Sequence, residues 1–265
     1  VVVITIAVTL VASLVGALAV LASGAQFDLT TLDTLDMNNP WVFAISMLSL
    51  AILIPISMLA IRLVHGVRTG YLHSVAGRFR WGWAARLTVV LLPVFALYVG
   101  SYVALEGVTW DPRPGWPLMM VLVILLVPFQ AAGEEYAMRG VFMQAIGSWI
   151  PHRELSLVIP GVLSAGVFAV LHGSSDPWIL LNLAAFAALA VYATWRTGGL
   201  EAAVVIHALN NVLLFLTDVG GGDMNANIVG GTSEGSVADL LVALVVFTVV
   251  GVVVTVLARR YDPQR

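Results

Sequence analysis

Eight stretches of this chain are apolar over a length that can cross a lipid bilayer: residues 1–23, 41–61, 83–105, 117–132, 155–172, 178–195, 200–217 and 237–258. A membrane-spanning helix needs about 20 mostly apolar residues to cover about 30 Å of hydrocarbon. The spacing therefore predicts an all-α fold, a polytopic membrane helical bundle of about eight transmembrane helices. Composition agrees: 60% of the residues are hydrophobic and 10% charged, against about 45–50% and about 25% in soluble domains. Such a chain cannot clothe its surface in water-loving side chains, which excludes soluble enzymes. Fifteen acids against 12 Arg, with no Lys, leave a net charge of −3 and no footprint for nucleic acid. The absence of Cys removes disulfides, thiolate zinc sites and Cys nucleophiles together. With no internal repeat and no long linker, residues 1–265 read as one integral membrane domain. The first stretch is too long, and too poor in cleavage features, for a secretory signal.

Arg placement sets the expected orientation. Residues 62–86 carry Arg62, Arg68, Arg78, Arg80 and Arg86 without an acid, and the C-terminal tail carries Arg259, Arg260 and Arg265. Residues 24–40 carry Asp28, Asp33 and Asp36, and residues 218–236 carry Asp218, Asp223 and Glu234, with no Arg in either. Both basic segments are expected in the cytoplasm, with both termini, and both acidic loops outside. Residues 133–150 are apolar enough for a ninth crossing, but that would put the basic tail outside. They are read instead as the continuation of 117–132, one long helix kinked at Gly133 and ending before Pro151. The loop 218–236 reads as a solvated connector.

At about 1.5 Å per helical residue, Glu134 sits roughly 24 Å from the cytoplasmic end of its helix, His172 roughly 26 Å from the start of its span at 155, and His207 and Asn211 roughly 16–23 Å beyond Arg196, a similar depth for all four. Ionisable groups inside hydrocarbon cost at least about 2.5–3.5 kcal/mol each on insertion scales and are functional candidates for that reason. Glu135 and Arg139 stand four apart in the favourable acid-before-base order and are expected to pair as a strut. Glu134 points about 100° away around the helix, where Arg139 cannot serve it. With no local partner, its charged form is disfavoured by apolar surroundings, which suits a general acid or base. His207 and Asn211 share one helical face. A carboxylate and a His can deprotonate water, and a His or Asn can donate to an oxyanion. The same Glu134, His172 and His207 could instead hold one zinc ion; the spacing does not choose.

EEYAMRG, FAVLH and HALNN resemble, in this order, the EExxxR, FxxxH and HxxxN motifs of the CAAX-protease and bacteriocin-processing family, also called the ABI family. The eight-span layout is similar to its intramembrane endopeptidases, including the Ras-converting enzymes. The resemblance covers residues 117–217, the expected catalytic core. It implies that Glu134 and His172 activate the attacking water, that His207 and Asn211 orient or stabilise the oxyanion, and that Glu135 and Arg139 occupy the supporting positions. A metal-free mechanism is favoured, because Asn211 is a poor zinc ligand and a good oxyanion donor.

The expected function is an intramembrane endopeptidase that hydrolyses a peptide bond of a membrane-associated protein or peptide. Its expected location is the cytoplasmic membrane of a prokaryote. The alternative is a membrane scaffold that kept the protease fold and grips a membrane-protein partner. A transporter with a proton relay is disfavoured by the absence of an inverted repeat.

Overall fold

The computed structural model describes residues 36–225 and 234–261, and these are helical apart from turns, connections and one isolated bridge between Ser74 and Gly199. The first expected span, residues 1–23, lies outside the described residues, as do residues 226–233 of the acidic loop and Arg265. In chain order the helices are α1 (Pro40–Ala51), α2 (Leu53–Ala60), α3 (Gly70–His73), α4 (Trp81–Glu106), α5 (Trp116–Glu135), α6 (Met143–Gly147), α7 (Leu155–Leu171), α8 (Pro177–Thr197), α9 (Glu201–Gly221) and α10 (Val237–Tyr261). Two π-helical turns, Ile61–His65 and Tyr136–Phe142, continue α2 and join α5 to α6.

Six segments among the described residues are long and apolar enough to cross a membrane: Pro40–His65, Trp81–Leu105, Trp116–Gly147, Pro177–Thr197, Glu201–Gly221 and Val237–Tyr261. The seventh expected span is the shorter apolar α7, of 17 residues. All eight tryptophans lie at or within a few residues of a span end. Seven of them are at least partly exposed, with Trp41, Trp81 and Trp149 at 70–75%. This is the placement that amphipathic indoles take at membrane–water interfaces. Leucines and valines along the spans are exposed in the same way, among them Leu97 at 76% and Val89 at 71%. These faces suit hydrocarbon rather than water. The protein is an integral membrane protein.

The helix ends follow their sequence signals. Asn39 caps α1 by accepting from Trp41 N at 2.9 Å, with Pro40 in the first turn, where its missing N–H has no consequence. Asp176 caps α8 by accepting from the backbone of Trp178 and Ile179, again with proline at the next position.

The described residues fall into two compact units, each assembled from separated stretches of chain. The first takes residues 36–56, 95–134 and 207–225. Its core is Phe43 and Met47 of α1, Met119, Val123 and Val127 of α5, Val219 of α9, and Met224. Gly133 of α5 is bare where α1 crosses it: a Cβ there would collide with the Leu50 carbonyl. Gly133, the expected site of a kink, thus permits a close helix–helix approach. The helix runs on through Gly133 to Glu135, where the π turn at Tyr136–Phe142 takes over.

At the edge of this unit two identical tripeptides, Asp36-Met37-Asn38 and Asp223-Met224-Asn225, clasp each other reciprocally. Asn38 Nδ2 donates to Asp223 Oδ1 at 3.2 Å, and Asn225 Nδ2 to Asp36 Oδ1 at 3.0 Å. Asn38 Oδ1 accepts from Met224 N, and Asn225 Oδ1 from Met37 N, both at 3.0 Å. Each Asp also accepts from the backbone N–H two residues on, and the two methionines point into the core.

The second unit takes residues 57–94, 135–206 and 234–261. In it α8 packs between α7 and α10. The loop before α4 is fastened by Arg80, which grips Glu201 through Nε and Nη2 at 2.9 and 2.7 Å and also donates to the Thr197 carbonyl. Glu201 is fully buried, so this bidentate pair is held away from water. His73, the last residue of α3, bonds the Tyr136 hydroxyl. Burial pushes its imidazole below the usual range, against the pull of the Glu201 charge.

Candidate active site

Within the first unit, five polar residues of α5 and α9, Gln130, Glu134, His207, Asn210 and Asn211, come together. The Glu134 side chain is 16% exposed and that of His207 is 2% exposed. His207 Nε2 stands 3.8 Å from Glu134 Oε2, beyond a direct hydrogen bond but within reach of one water touching both. Glu134 Oε1 accepts from Gln130 Nε2 at 2.6 Å, and Gln130 Oε1 accepts from Asn211 Nδ2 at 3.3 Å. Asn210 Nδ2 in turn donates to Asn211 Oδ1 at 3.1 Å.

The absence of a local partner for Glu134, expected from the sequence, is corrected here. Gln130 lies one helical turn earlier on the same face and supplies a donor. Sequence reasoning missed this residue, although its signal was present as a lone amide in an apolar stretch, four before a carboxylate. A carboxylate can only accept, so Gln130 must present its NH₂ to Glu134 and its oxygen to Asn211. Every amide in the chain Asn210–Asn211–Gln130 is therefore aimed donor-first toward Glu134. One hydrogen of Asn211 Nδ2 remains for another acceptor.

In the second unit the supporting pair forms as its spacing predicts. Arg139 Nη1 donates to Glu135 Oε1 at 3.0 Å, and both side chains are fully buried. Arg139 also donates through Nη2 to the Ala187 carbonyl at 3.2 Å and lies over the Phe168 ring at 4.8 Å. One guanidinium thus ties the π turn to α7 and α8. The π turn itself is a rare geometry that recurs at functional sites.

His172 caps the C-terminus of α7, and Gly173 follows with φ 74°, the left-handed position that glycine takes without strain. Its ring packs on Phe168, 4.5 Å between centroids. His172 Nδ1 lies 2.7 Å from the Phe168 carbonyl. A carbonyl only accepts, so Nδ1 carries the proton, and in the neutral ring Nε2 keeps a lone pair for a proton from elsewhere.

The four expected catalytic residues thus divide: Glu134, His207 and Asn211 belong to the network of the first unit, and His172 to the second. Among the described residues of the first unit, no further His, Asp or Glu joins Glu134 and His207 as a metal-binding group. These two donors alone fall short of the three protein ligands of a catalytic zinc.

Comparison with known proteins places this geometry in context. Residues 114–213 match the family model described as type II CAAX prenyl endopeptidase, Rce1-like. The matched stretch holds all three motifs, in agreement with the family read from them. A segment of 108 residues is 30% identical to the uncharacterized protein YyaK of Bacillus subtilis (strain 168), covering 38% of this chain and 35% of that protein. The chain thus spans about a third of the length of that relative. No solved structure matches.

Proposed function

We propose, from the Rce1-like character of residues 114–213, that this protein is an intramembrane endopeptidase acting on a membrane-associated protein or peptide. The observation that carries the reading is the buried Glu134–His207 approach, with Glu134 held by a donor from Gln130. In the proposed reaction Glu134 takes a proton from a water as its oxygen forms a bond to the scissile carbonyl carbon. His172 shares this step: its place in FAVLH and the free lone pair of Nε2 suit proton acceptance. His207 and the spare hydrogen of Asn211 donate to the oxyanion. The C–N bond then breaks, and the proton gained from water passes to the leaving amine. No metal is required by these steps. The proposed location is a prokaryotic cytoplasmic membrane, in keeping with the Bacillus relative, and the Arg-rich segments favour both termini on its cytoplasmic side.

Glu134→Gln tests the proposal. The amide still accepts from Gln130, so the fold is kept while the base is lost. Hydrolysis is expected to fall by about 10²–10⁴-fold, with an uncut membrane substrate accumulating in mutant cells. Full complementation by the mutant, with no processed protein changed, would overturn the protease reading in favour of a scaffold that grips a partner. Exhaustive chelation is expected to leave activity intact; loss restored by zinc would recast Glu134, His172 and His207 as ligands.

A further inference from the structure

At one end of the second unit, four guanidinium groups gather about the last turns of α10. Arg86 of α4 lies over the Tyr261 ring at 4.7 Å, and Arg260 faces the same ring at 5.6 Å. Arg196, at the end of α8, donates through Nη2 to the Thr255 carbonyl at 3.4 Å. Among the described residues none of Arg86, Arg196, Arg259 and Arg260 forms an ion pair. Arg196 is only 7% exposed, and its Nη1 has no hydrogen-bond partner. A desolvated cation without a counter-ion favours an anion nearby.

Arg259 lines the end of a groove of about 440 Å³ walled by α8 and α10. The groove follows α10 from Thr248 to Arg259, roughly 16 Å at the helical rise. Its hydroxyls are already committed: Tyr192 bonds Thr255, while Thr255 and Thr248 donate to backbone carbonyls one turn back. A guest therefore meets an apolar wall. Val252 and Val256 open outward at 56% and 54% exposure. Gly251 leaves the floor bare, because a Cβ there would meet Leu189 and Tyr192 only at ordinary contact distances of 3.6 and 3.9 Å. Close helix packing does not demand this glycine.

We propose that this groove holds an acyl chain of an anionic phospholipid, with the lipid phosphate against Arg259 and in the field of Arg86, Arg196 and Arg260. A basic pocket between membrane helices is suited to an anionic headgroup. The apolar groove beside it selects a lipid over a soluble anion. This inference is independent of the proteolytic reading.

The test is native mass spectrometry of the purified full chain in detergent, with phosphatidylglycerol and phosphatidylcholine of identical acyl chains at equal concentration. Phosphatidylglycerol is expected to be retained at least about fivefold more, on the scale of one interfacial Arg. Arg259→Gln combined with Arg260→Gln should bring the two lipids close to parity. Val252→Trp should lower phosphatidylglycerol retention with every Arg in place, whereas Val249→Trp, outside the groove on the same helix, should not. Variants are compared only where gel filtration and circular dichroism match the wild type. Equal retention by the wild type, or a preference unchanged by the double Arg substitution, overturns the proposal. So does displacement of the lipid by glycerol 3-phosphate, which would mark a free-anion site, or equal effects of the two tryptophans.

Discussion

Gln130 holds Glu134 from one helical turn away, its Nε2 2.6 Å from Glu134 Oε1, while its own oxygen accepts from Asn211 of α9. The residue thereby connects the first motif to the third. The amides polarise in one direction, from Asn210 toward the carboxylate, and a hydrogen-bond chain so aligned strengthens each of its links. It also fixes which Glu134 oxygen is engaged, leaving Oε2 toward His207.

Gln130→Met keeps the length and apolar volume of the side chain but removes both hydrogen bonds. A hydrogen bond to a charged group contributes about 1.5–3 kcal/mol, so turnover is expected to fall by about 10–10²-fold in a folded protein. Steady-state hydrolysis should show the loss in kcat with little change in KM. Full activity would remove Gln130 from the positioning of the base.

Arg139 is expected to matter first for folding. Arg139→Met leaves the Glu135 carboxylate buried without its cation, a change that costs about 3–5 kcal/mol in buried pairs. Glu135→Gln keeps an acceptor for the guanidinium and should be milder. Both should lower membrane yield and melting temperature more than turnover per folded molecule. A stable but inactive Glu135→Gln would instead move Glu135 into the reaction.

The membrane helices were legible because bilayer thickness and apolar run length are the same physical constraint. The seven expected spans within the described residues each have a helix at nearly the same bounds, and α7, at 17 residues, is the shortest of them. Glu135–Arg139 was legible because both partners lie on one helix. The link from Gln130 to Asn211 was not, since it depends on which face of α9 meets α5. Nor was the π turn after Glu135, which a shifted hydrogen-bond register creates without a residue type that announces it. The paired Asp-Met-Asn tripeptides escaped notice as a repeat because three residues far apart in sequence carry no periodicity.

That clasp gives a pH prediction. Hydrogen bonds from Asn225 hold the Asp36 and Asp223 carboxyls below the usual carboxylate range, with Asn38 adding to both. A carboxyl depressed in the folded state contributes stability that is present above its unfolded pKa and is lost as pH falls through the folded value. The clasp should therefore be intact at neutral pH and weaken only as pH falls below the usual carboxylate range. Asn38→Ala and Asn225→Ala should each lower the melting temperature at pH 7, and their effects should couple by up to about 1 kcal/mol. Strict additivity in the double-mutant cycle would mean that the two tripeptides hold their loops separately.

Phe168 offers the sharpest test of how the second motif is positioned. Its ring lies 4.8 Å from the Arg139 guanidinium carbon and 4.5 Å from the His172 imidazole centroid, and it is 3% exposed. Phe168→Leu keeps apolar bulk while removing the aromatic face, which contributes about 0.5–2 kcal/mol to a partly desolvated cation. The bond from His172 Nδ1 to residue 168 survives, because the acceptor is a backbone carbonyl. The imidazole should therefore keep its tautomer but lose the wall that sets its ring plane. The expected outcome is a lower melting temperature together with a several-fold fall in kcat at nearly constant KM, on the scale of about 1 kcal/mol of lost positioning. Nitrogen NMR of the His172 ring should still report a protonated Nδ1. A lower melting temperature with full kcat would show that Phe168 serves only Arg139, and that the backbone bond alone is enough to orient His172.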